Sequence, residues 1–536
     1  MVAIQPVPKT TLQSPFPDIE IPELPLHAFV LELAQELGDK PALIDALSGR
    51  VLTYRQLVES IRRAACGLGR RGFAKRDVLA LYSPNLPEFA VAYYAVVSLG
   101  GVVTTINPLA TVDELATQLS DSDARWLVSA PICLNKALQA ADRTGLEQVY
   151  VFGDTVERAR AFDVLLAEDA PLPRIPIDVR ADVVALPYSS GTTGLPKGVM
   201  LTHHNLVANV CQMEGIEPVT QHDTLIAVLP FFHIYGMEVV LHRGLYKGAT
   251  LVTMPRFELE PFLAAMQQHV VTRAYLVPPI VLALAKHPLV SQYDLSALET
   301  IVCGAAPLDA ELSEACARRL ACQVKQAYGL TECSPVTHWT PEGQNKPGSI
   351  GPVVRNTQAR VVDLTTGESL GRGRPGELCV RGPQVMRGYL HRPDATAGMI
   401  DGDGWLHTGD VAYADEDGYC YVVDRVKELI KYKGYQVAPA ELEAVLVSHP
   451  AVADAAVIGS PDDEAGEVPK AYLVLSDQDA PVEDILAFLA ERLAPYKKIR
   501  RWEIVSQIPK SASGKILRRL LIEQERARTD VRARSS

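Results

Sequence analysis

The stretch Ser189-Ser190-Gly191-Thr192-Thr193-Gly194-Leu195-Pro196-Lys197-Gly198-Val199 sets hydroxyls, glycines and one lysine between two apolar runs. Glycine lets backbone N–H groups approach an anion, hydroxyls add donors, and the Lys197 ammonium is a mobile point charge, a combination suited to a polyphosphate. Val183-Val184-Ala185-Leu186 reads as a buried strand entering the loop and Val199-Met200-Leu201 as a strand leaving it. Alone, such a cluster is a solvated turn; the flanking strands make it a nucleotide site. It lacks the glycine spacing and the hydroxyl after lysine of G-x-x-x-x-G-K-[ST] and opens no helix, which argues against a P-loop kinase or GTPase.

At 536 residues the chain exceeds one compact core. Helical periodicity at Leu24–Leu37 precedes a hairpin from Ala42-Leu43-Ile44 to Val51-Leu52-Thr53-Tyr54. Strand, helix, strand then follow at 77–81, 85–98 and 102–106, with further strands at 126–128 and 149–152. After the loop come strands near 225–229, 249–253, 274–277 and 300–303 and a helix over 258–268. This rhythm predicts two parallel-sheet α/β subdomains with right-handed crossovers. From Gly348 short alternating strands at 359–362, 377–380 and 419–422 predict a small antiparallel sheet or barrel. A compact α+β pattern follows Asp424, with helices at 439–448 and 482–493 and strands at 455–458 and 471–474. The expected division is 1–424, including the barrel part at about 348–424, and 425–536; the tail after Glu523 is expected to be frayed helix.

The net charge of -12 supplies no basic field for nucleic acid or an anionic membrane. Nine scattered cysteines, with no C-x-x-C pair and no Cys/His ligand spacing, fit reduced, buried thiols and a cytoplasmic location. No signal peptide is expected, and the apolar window 89–103 is too short and too interrupted for a membrane span.

Polar islands recur after apolar strands. Pro230-Phe231-Phe232-His233-Ile234-Tyr235-Gly236 sets a histidine among aromatics, and Gly304-Ala305-Ala306-Pro307 leaves room for a flat ring against backbone. In Gln326-Ala327-Tyr328-Gly329-Leu330-Thr331-Glu332, Tyr328 can stack on a base, while Thr331 and Glu332 offer Mg²⁺ hard oxygens. Asp410, in Trp405-Leu406-His407-Thr408-Gly409-Asp410, is placed to grip ribose hydroxyls.

Together the motifs SSGTTGLPKGV, HIYG, GAAP, YGLTE, GELCVRG, GWLHTGD, DRVKELIKYKG and PKSASGKILR, in this order from about Leu52 to Arg519, resemble the adenylate-forming superfamily of acyl-CoA synthetases, luciferases and adenylation domains. Lys427–Glu443 is most similar to 4-coumarate:CoA ligases and luciferases. The resemblance implies ATP-driven acyl-adenylate formation followed by attack of the coenzyme A thiol, with Mg²⁺. It implies that Ser189, Ser190, Gly191, Thr192, Thr193, Gly194 and Lys197 bind the β- and γ-phosphates and that Glu332 holds Mg²⁺. Gly304, Ala305, Gln326, Tyr328, Gly329 and Thr331 line the adenylate pocket, Asp410 binds ribose and Arg425 contacts the nucleotide. Lys515 reaches the carboxylate and α-phosphate.

It further implies a C-terminal domain that turns about Lys427 between half-reactions, presenting Lys433 and Gly434 to coenzyme A, with Lys431 and Gln436 in ligase chemistry and Arg256 near the coenzyme's phosphates. His233 gates the acyl pocket or steers the carboxylate, which needs no general base at neutral pH. Tyr235, Gly304, Gly329, Pro335 and Val336 match the hydroxycinnamate pocket, whereas Gly236-Met237-Glu238 departs from the plant pattern. A medium- or long-chain fatty acyl-CoA ligase is the alternative within the enzymes, and a non-catalytic acyl or nucleotide sensor the alternative outside them. The expected partners are a small carboxylic acid, ATP and coenzyme A, with no protein partner required.

Overall fold

The computed structural model describes residues 10–525 apart from 157, 173, 190–195, 434, 463, 477–479 and 512–513. Contacts group them into two compact units: Gln13–Gln358 with Val380–Leu406, and Leu12 with Ala359–Cys379 and the residues from His407 onward. This grouping cuts the chain elsewhere than the expected boundary at 424/425.

The first unit is built on two sheets. In one, Val102–Ile106, Val78–Tyr82, Ala124–Ser129 and Gln148–Val151 run parallel in that order. Val183–Ala185 continues the parallel run, and Lys197–Thr202 then turns antiparallel against it. In the other, Gln323–Gly329, Thr300–Cys303, Arg273–Leu276, Thr224–Ala227, Thr250–Thr253 and Pro41–Asp45 are parallel, edged by antiparallel Val336–Trp339 and Val51–Thr53. The predicted hairpin at 42–54 therefore completes the sheet formed by the later strands.

Helix Pro87–Ser98 starts on a proline whose missing N–H costs nothing there, and it is buried all round. The most apolar window is thus a core helix. Among the described residues no helix is long and apolar enough to cross a membrane.

Two elements depart from the sequence reading. Tyr54–Arg70 is a long helix whose start is fixed by reciprocal Thr53 and Gln56 hydrogen bonds, and Tyr54, Leu57, Ile61, Ala64, Ala65 and Leu68 face the core. Its T-x-x-Q signal was legible but hidden by the β-favouring run before it. Tyr235–His242 is π-helical, a winding that local composition does not announce.

Strands Leu12–Gln13, Gln358–Val362, Gly376–Arg381, Leu406–Ala414 and Cys420–Arg425, drawn mainly from the second unit, form a five-stranded sheet, where the sequence predicts a small antiparallel sheet or barrel. A further sheet orders Tyr435–Val437, Ile430–Tyr432, Gly466–Leu475 and Val452–Asp462, with Arg501–Ile504 beside Gly466–Leu475. Helices Pro439–Ser448 and Val482–Arg492 pack Leu442, Leu446, Ile485 and Leu489 against Ile430, Val457 and Leu473. Residues 518–525 are helical; the frayed end expected beyond them lies outside the described residues.

Arg518 braces this unit. Its guanidinium donates to Glu428 at 2.6 Å and to Glu443 at 2.5 Å, while Glu443 also accepts from Val457 N–H. Burial pushes the Glu443 carboxyl up to about 7. Removing one partner of a buried ion pair strands the other charge at a cost of about 3 kcal/mol or more. Arg518→Met is therefore expected to lower the stability of this unit by that order in denaturant unfolding, more at pH 8 than at pH 6, where protonation relieves the stranded Glu443. An unchanged transition at pH 8 would remove Arg518 from this role.

Candidate active site

The phosphate-loop prediction falls where two strands meet. Tyr188–Ser189 pairs antiparallel with Lys197–Thr202 in the register Ser189↔Lys197, so the loop's ends are held side by side. Ser190, Gly191, Thr192, Thr193 and Gly194 lie outside the described residues. Gly198 lets the Tyr188 ring lie where a Cβ would be 3.2 Å from it, and the Tyr188 hydroxyl donates to Asp121 at 2.8 Å.

Glu332 joins this hairpin to the second sheet of the first unit. Its Oε1 accepts from the Ser189 hydroxyl at 2.8 Å and from the Tyr389 hydroxyl at 2.7 Å. Burial, and then the Glu332 charge, push the Tyr389 hydroxyl up from its ordinary value, so it remains a donor. Tyr389 is brought in by strand Gly388–Tyr389, which pairs with Val199 and Met200, and its ring carries the Lys197 ammonium 4.2 Å from the centroid. Among the described residues both bonds to Glu332 fall on Oε1. Oε2 is a hard oxygen of the kind magnesium takes, so the donor set fits that ion.

The residues expected to line the acyl pocket make close contacts in two groups. The buried Tyr235 hydroxyl donates to the Val302 carbonyl at 3.1 Å, and its ring lies where a Cβ on Gly304 would be 3.1–3.3 Å away. Gly329 is closer still to its neighbour, since a Cβ there would meet the Pro335 carbonyl oxygen at 2.2 Å. Gly236 likewise abuts the Pro230 carbonyl. Ala305 is held at φ +71, a left-handed backbone costly for a residue with a Cβ. Tyr328 packs edge-on to His338 with centroids 5.9 Å apart. Gln326 spends its Oε1 on the Leu308 N–H at 3.0 Å, so it shapes the backbone after Gly304. Thr331 begins the short 3-10 turn that carries Glu332.

His233 Nδ1 accepts from the Tyr235 N–H at 3.2 Å, which leaves the ring proton of the neutral form on Nε2. Arg256 is exposed, pairs with Glu258, and is not brought to these groups.

Sequence reasoning missed the side chains that hold this framework. Asn85 donates to the Ala227 and Leu229 carbonyls, each at 2.8 Å, and accepts from Phe231 N–H at 2.7 Å, fixing the turn before His233. Asn209 brackets Val336 through both its N–H and its carbonyl. Tyr389 belongs with them. Each acts between segments far apart in the chain, and no local pattern marks it.

In the second unit, Asp410 and Arg425 are cross-strand partners, with Nε 3.2 Å from Oδ1. The strand segment carrying Asp410 is tied to the neighbouring strand, because Glu377 Oε1 accepts from Gly409 N–H and the Thr408 hydroxyl donates to the Leu378 carbonyl. Lys427 is exposed on the turn after Arg425. Lys431 and Gln436 face each other in the hairpin of Ile430–Tyr432 and Tyr435–Val437. Lys433, at φ +45, pairs with Glu464; Gly434 lies outside the described residues. Lys515 sits in a small loop closed by the Lys510↔Ile516 bridge, where its N–H donates to the Ser511 hydroxyl at 3.1 Å.

Comparison with known proteins supplies the class of enzyme. The sequence matches the AMP-binding enzyme family over residues 31–390 and the AMP-binding enzyme C-terminal domain over residues 441–515. The chain belongs to this adenylate-forming family. It is 44% identical to 4-coumarate--CoA ligase 2 of Oryza sativa subsp. japonica, over 96% of this chain and 94% of that protein. It is 42% identical to 4-coumarate--CoA ligase 2 of Petroselinum crispum, over 96% and 97%. Among solved structures, the anthranilate CoA ligase AuaEII in complex with anthranoyl-AMP superposes with a TM-score of 0.89 at 27% identity, covering 96% of this chain and 99% of that one.

The Tyr235–Gly304 contact yields a direct test. Tyr235→Ala removes the ring, and is expected to lower kcat/KM for the organic acid about tenfold while leaving the KM for ATP within twofold. Equal changes for both substrates would take Tyr235 out of the acid pocket.

Proposed function

We propose that this protein is an ATP-dependent acid:CoA ligase that activates 4-coumarate or a related hydroxycinnamate as an acyl adenylate. The observation that carries this reading is the 44% identity to a 4-coumarate--CoA ligase along nearly the whole of both chains. The narrow lining where Tyr235 meets Gly304, and Gly329 meets Pro335, supports a planar acid.

In the first half-reaction a carboxylate oxygen attacks the α-phosphorus of ATP, the bond to the bridging oxygen breaks, and pyrophosphate leaves. Two anions meet and a third is shed, so fixed positive charge and preorganised donors supply the catalysis. Lys197 and Ser189, with the loop residues Ser190–Gly194, bind the leaving pyrophosphate, and Asp410 and Arg425 bind the nucleoside. Glu332 is the carboxylate that would hold Mg²⁺, which when bound neutralises phosphate charge. Lys515 contacts the carboxylate and α-phosphate. His233 orients the incoming acid.

In the second half-reaction the coenzyme A sulfur attacks the acyl carbon, its thiol proton passes to solvent, and the acyl C–O bond breaks to release AMP. Lys431, Lys433, Gly434 and Gln436 serve this step, with Arg256 toward the coenzyme's phosphates. Lys427 is the pivot of the 425–536 domain. The working compartment is the cytoplasm.

Lys515→Ala is expected to reduce acid-dependent ATP–pyrophosphate exchange on the order of a hundredfold, with thioester formation from supplied coumaroyl adenylate within a few-fold of wild type. Equal loss of both steps would contradict the division of labour. A panel of 4-coumarate, cinnamate, benzoate and saturated acids of graded length tests the acid, and higher kcat/KM for saturated chains than for 4-coumarate would assign the fatty-acid reading instead.

A further inference from the structure

Strands Gly376–Arg381 and Leu406–Ala414 are neighbours in the sheet of the second unit. Side chains two apart on a strand share a face, so Glu377 and Cys379 project together, and His407 meets them from the adjoining strand. Its Nδ1 lies 2.9 Å from Glu377 Oε2 and 3.4 Å from Cys379 Sγ. One ligand atom from each of the three lies within 4.8 Å of the others, and among the described residues no other group of three or more such side chains does so. The cysteine is buried and its two partners are half-buried.

Oxygen, imidazole nitrogen and sulfur together form the donor set of a borderline divalent ion and a poor one for magnesium. Tetrahedral zinc, with Zn–N of 2.0–2.1 Å and Zn–S of about 2.3 Å, sets these two ligand atoms about 3.5 Å apart, which is close to the separation seen. We propose that Glu377, Cys379 and His407 bind one ion of the Zn²⁺ class, at a site separate from the Glu332 carboxylate. Binding removes the thiol proton of Cys379 to solvent and leaves the single proton of neutral His407 on Nε2; no electron moves.

The site is coupled to the nucleotide machinery by one residue. Glu377 Oε2 faces His407 while Oε1 accepts from Gly409 N–H at 3.1 Å, with Gly409 at φ +72 in the strand segment that carries Asp410. An ion on Oε2 fixes Glu377 and with it that segment. This coupling rests on the reading of Asp410 as a ribose ligand, whereas the ion site does not.

The test uses metal-free full-length protein without nucleotide or magnesium, titrated with Co²⁺. A thiolate-to-cobalt charge-transfer band should saturate at one equivalent, disappear in Cys379→Ser, persist in Cys322→Ser, and be bleached by added Zn²⁺. His407→Gln should weaken Co²⁺ binding about tenfold or more and serves as the reporter if Cys379→Ser does not fold. No band in the wild type, a band that survives Cys379→Ser, or Co²⁺ affinity unchanged by His407→Gln would overturn the site. If the ion binds but the KM for ATP does not move with occupancy, the site stands and only its coupling to Asp410 falls.

Discussion

A buried carboxylate is tolerated only where donors meet it, and Glu332 meets two from outside its own sheet. It follows strand Gln323–Gly329 of one sheet, while Ser189 and Tyr389 belong to strands of the other. The same contacts close the base of the glycine-rich hairpin and set Lys197 over an aromatic face. The base of the loop is thus held at Ser189 and Lys197, with no direct ion pair between Lys197 and Glu332 among the described contacts. Such an arrangement leaves the ammonium's charge for an anion.

Close approach also shapes the residues expected to line the acyl pocket. At Gly236, Gly304 and Gly329 the space of a Cβ is taken by a carbonyl or an aromatic ring, so a larger residue at any of them must displace its neighbours. Asn85 and Asn209 then hold the backbone on either side through carbonyl and N–H bonds. These positions are therefore specified by the backbone as much as by side chains.

The legible part of this protein was the part written in local pattern. Alternating apolar runs located the parallel strands, and proline at the helix start located Pro87–Ser98 and Pro439–Ser448. Ser189, Tyr235, Gly304 and Glu332 stood out within the motif series, and the family resemblance supplied their expected roles. What was not legible depends on distance along the chain. Tyr389 reaches Glu332 only because Gly388–Tyr389 pairs with Val199 and Met200, and Cys379 meets His407 only because their strands are neighbours. The cysteines read as scattered and without ligand spacing for the same reason. The π-helical turn at Tyr235–His242 was hidden by a different cause, since its residues favour ordinary helix or strand equally well.

The central claim is that the carboxylate attacks the α-phosphorus, and oxygen labelling tests it most directly. With 4-coumarate labelled by ¹⁸O in both carboxyl oxygens, plus ATP and coenzyme A, the oxygen that bridges acyl group and phosphorus stays with phosphorus when the thiol cleaves the acyl C–O bond. The AMP released should carry one ¹⁸O and the pyrophosphate none, read by phosphorus NMR or mass spectrometry. Label in pyrophosphate or inorganic phosphate, with unlabelled AMP, would contradict the account.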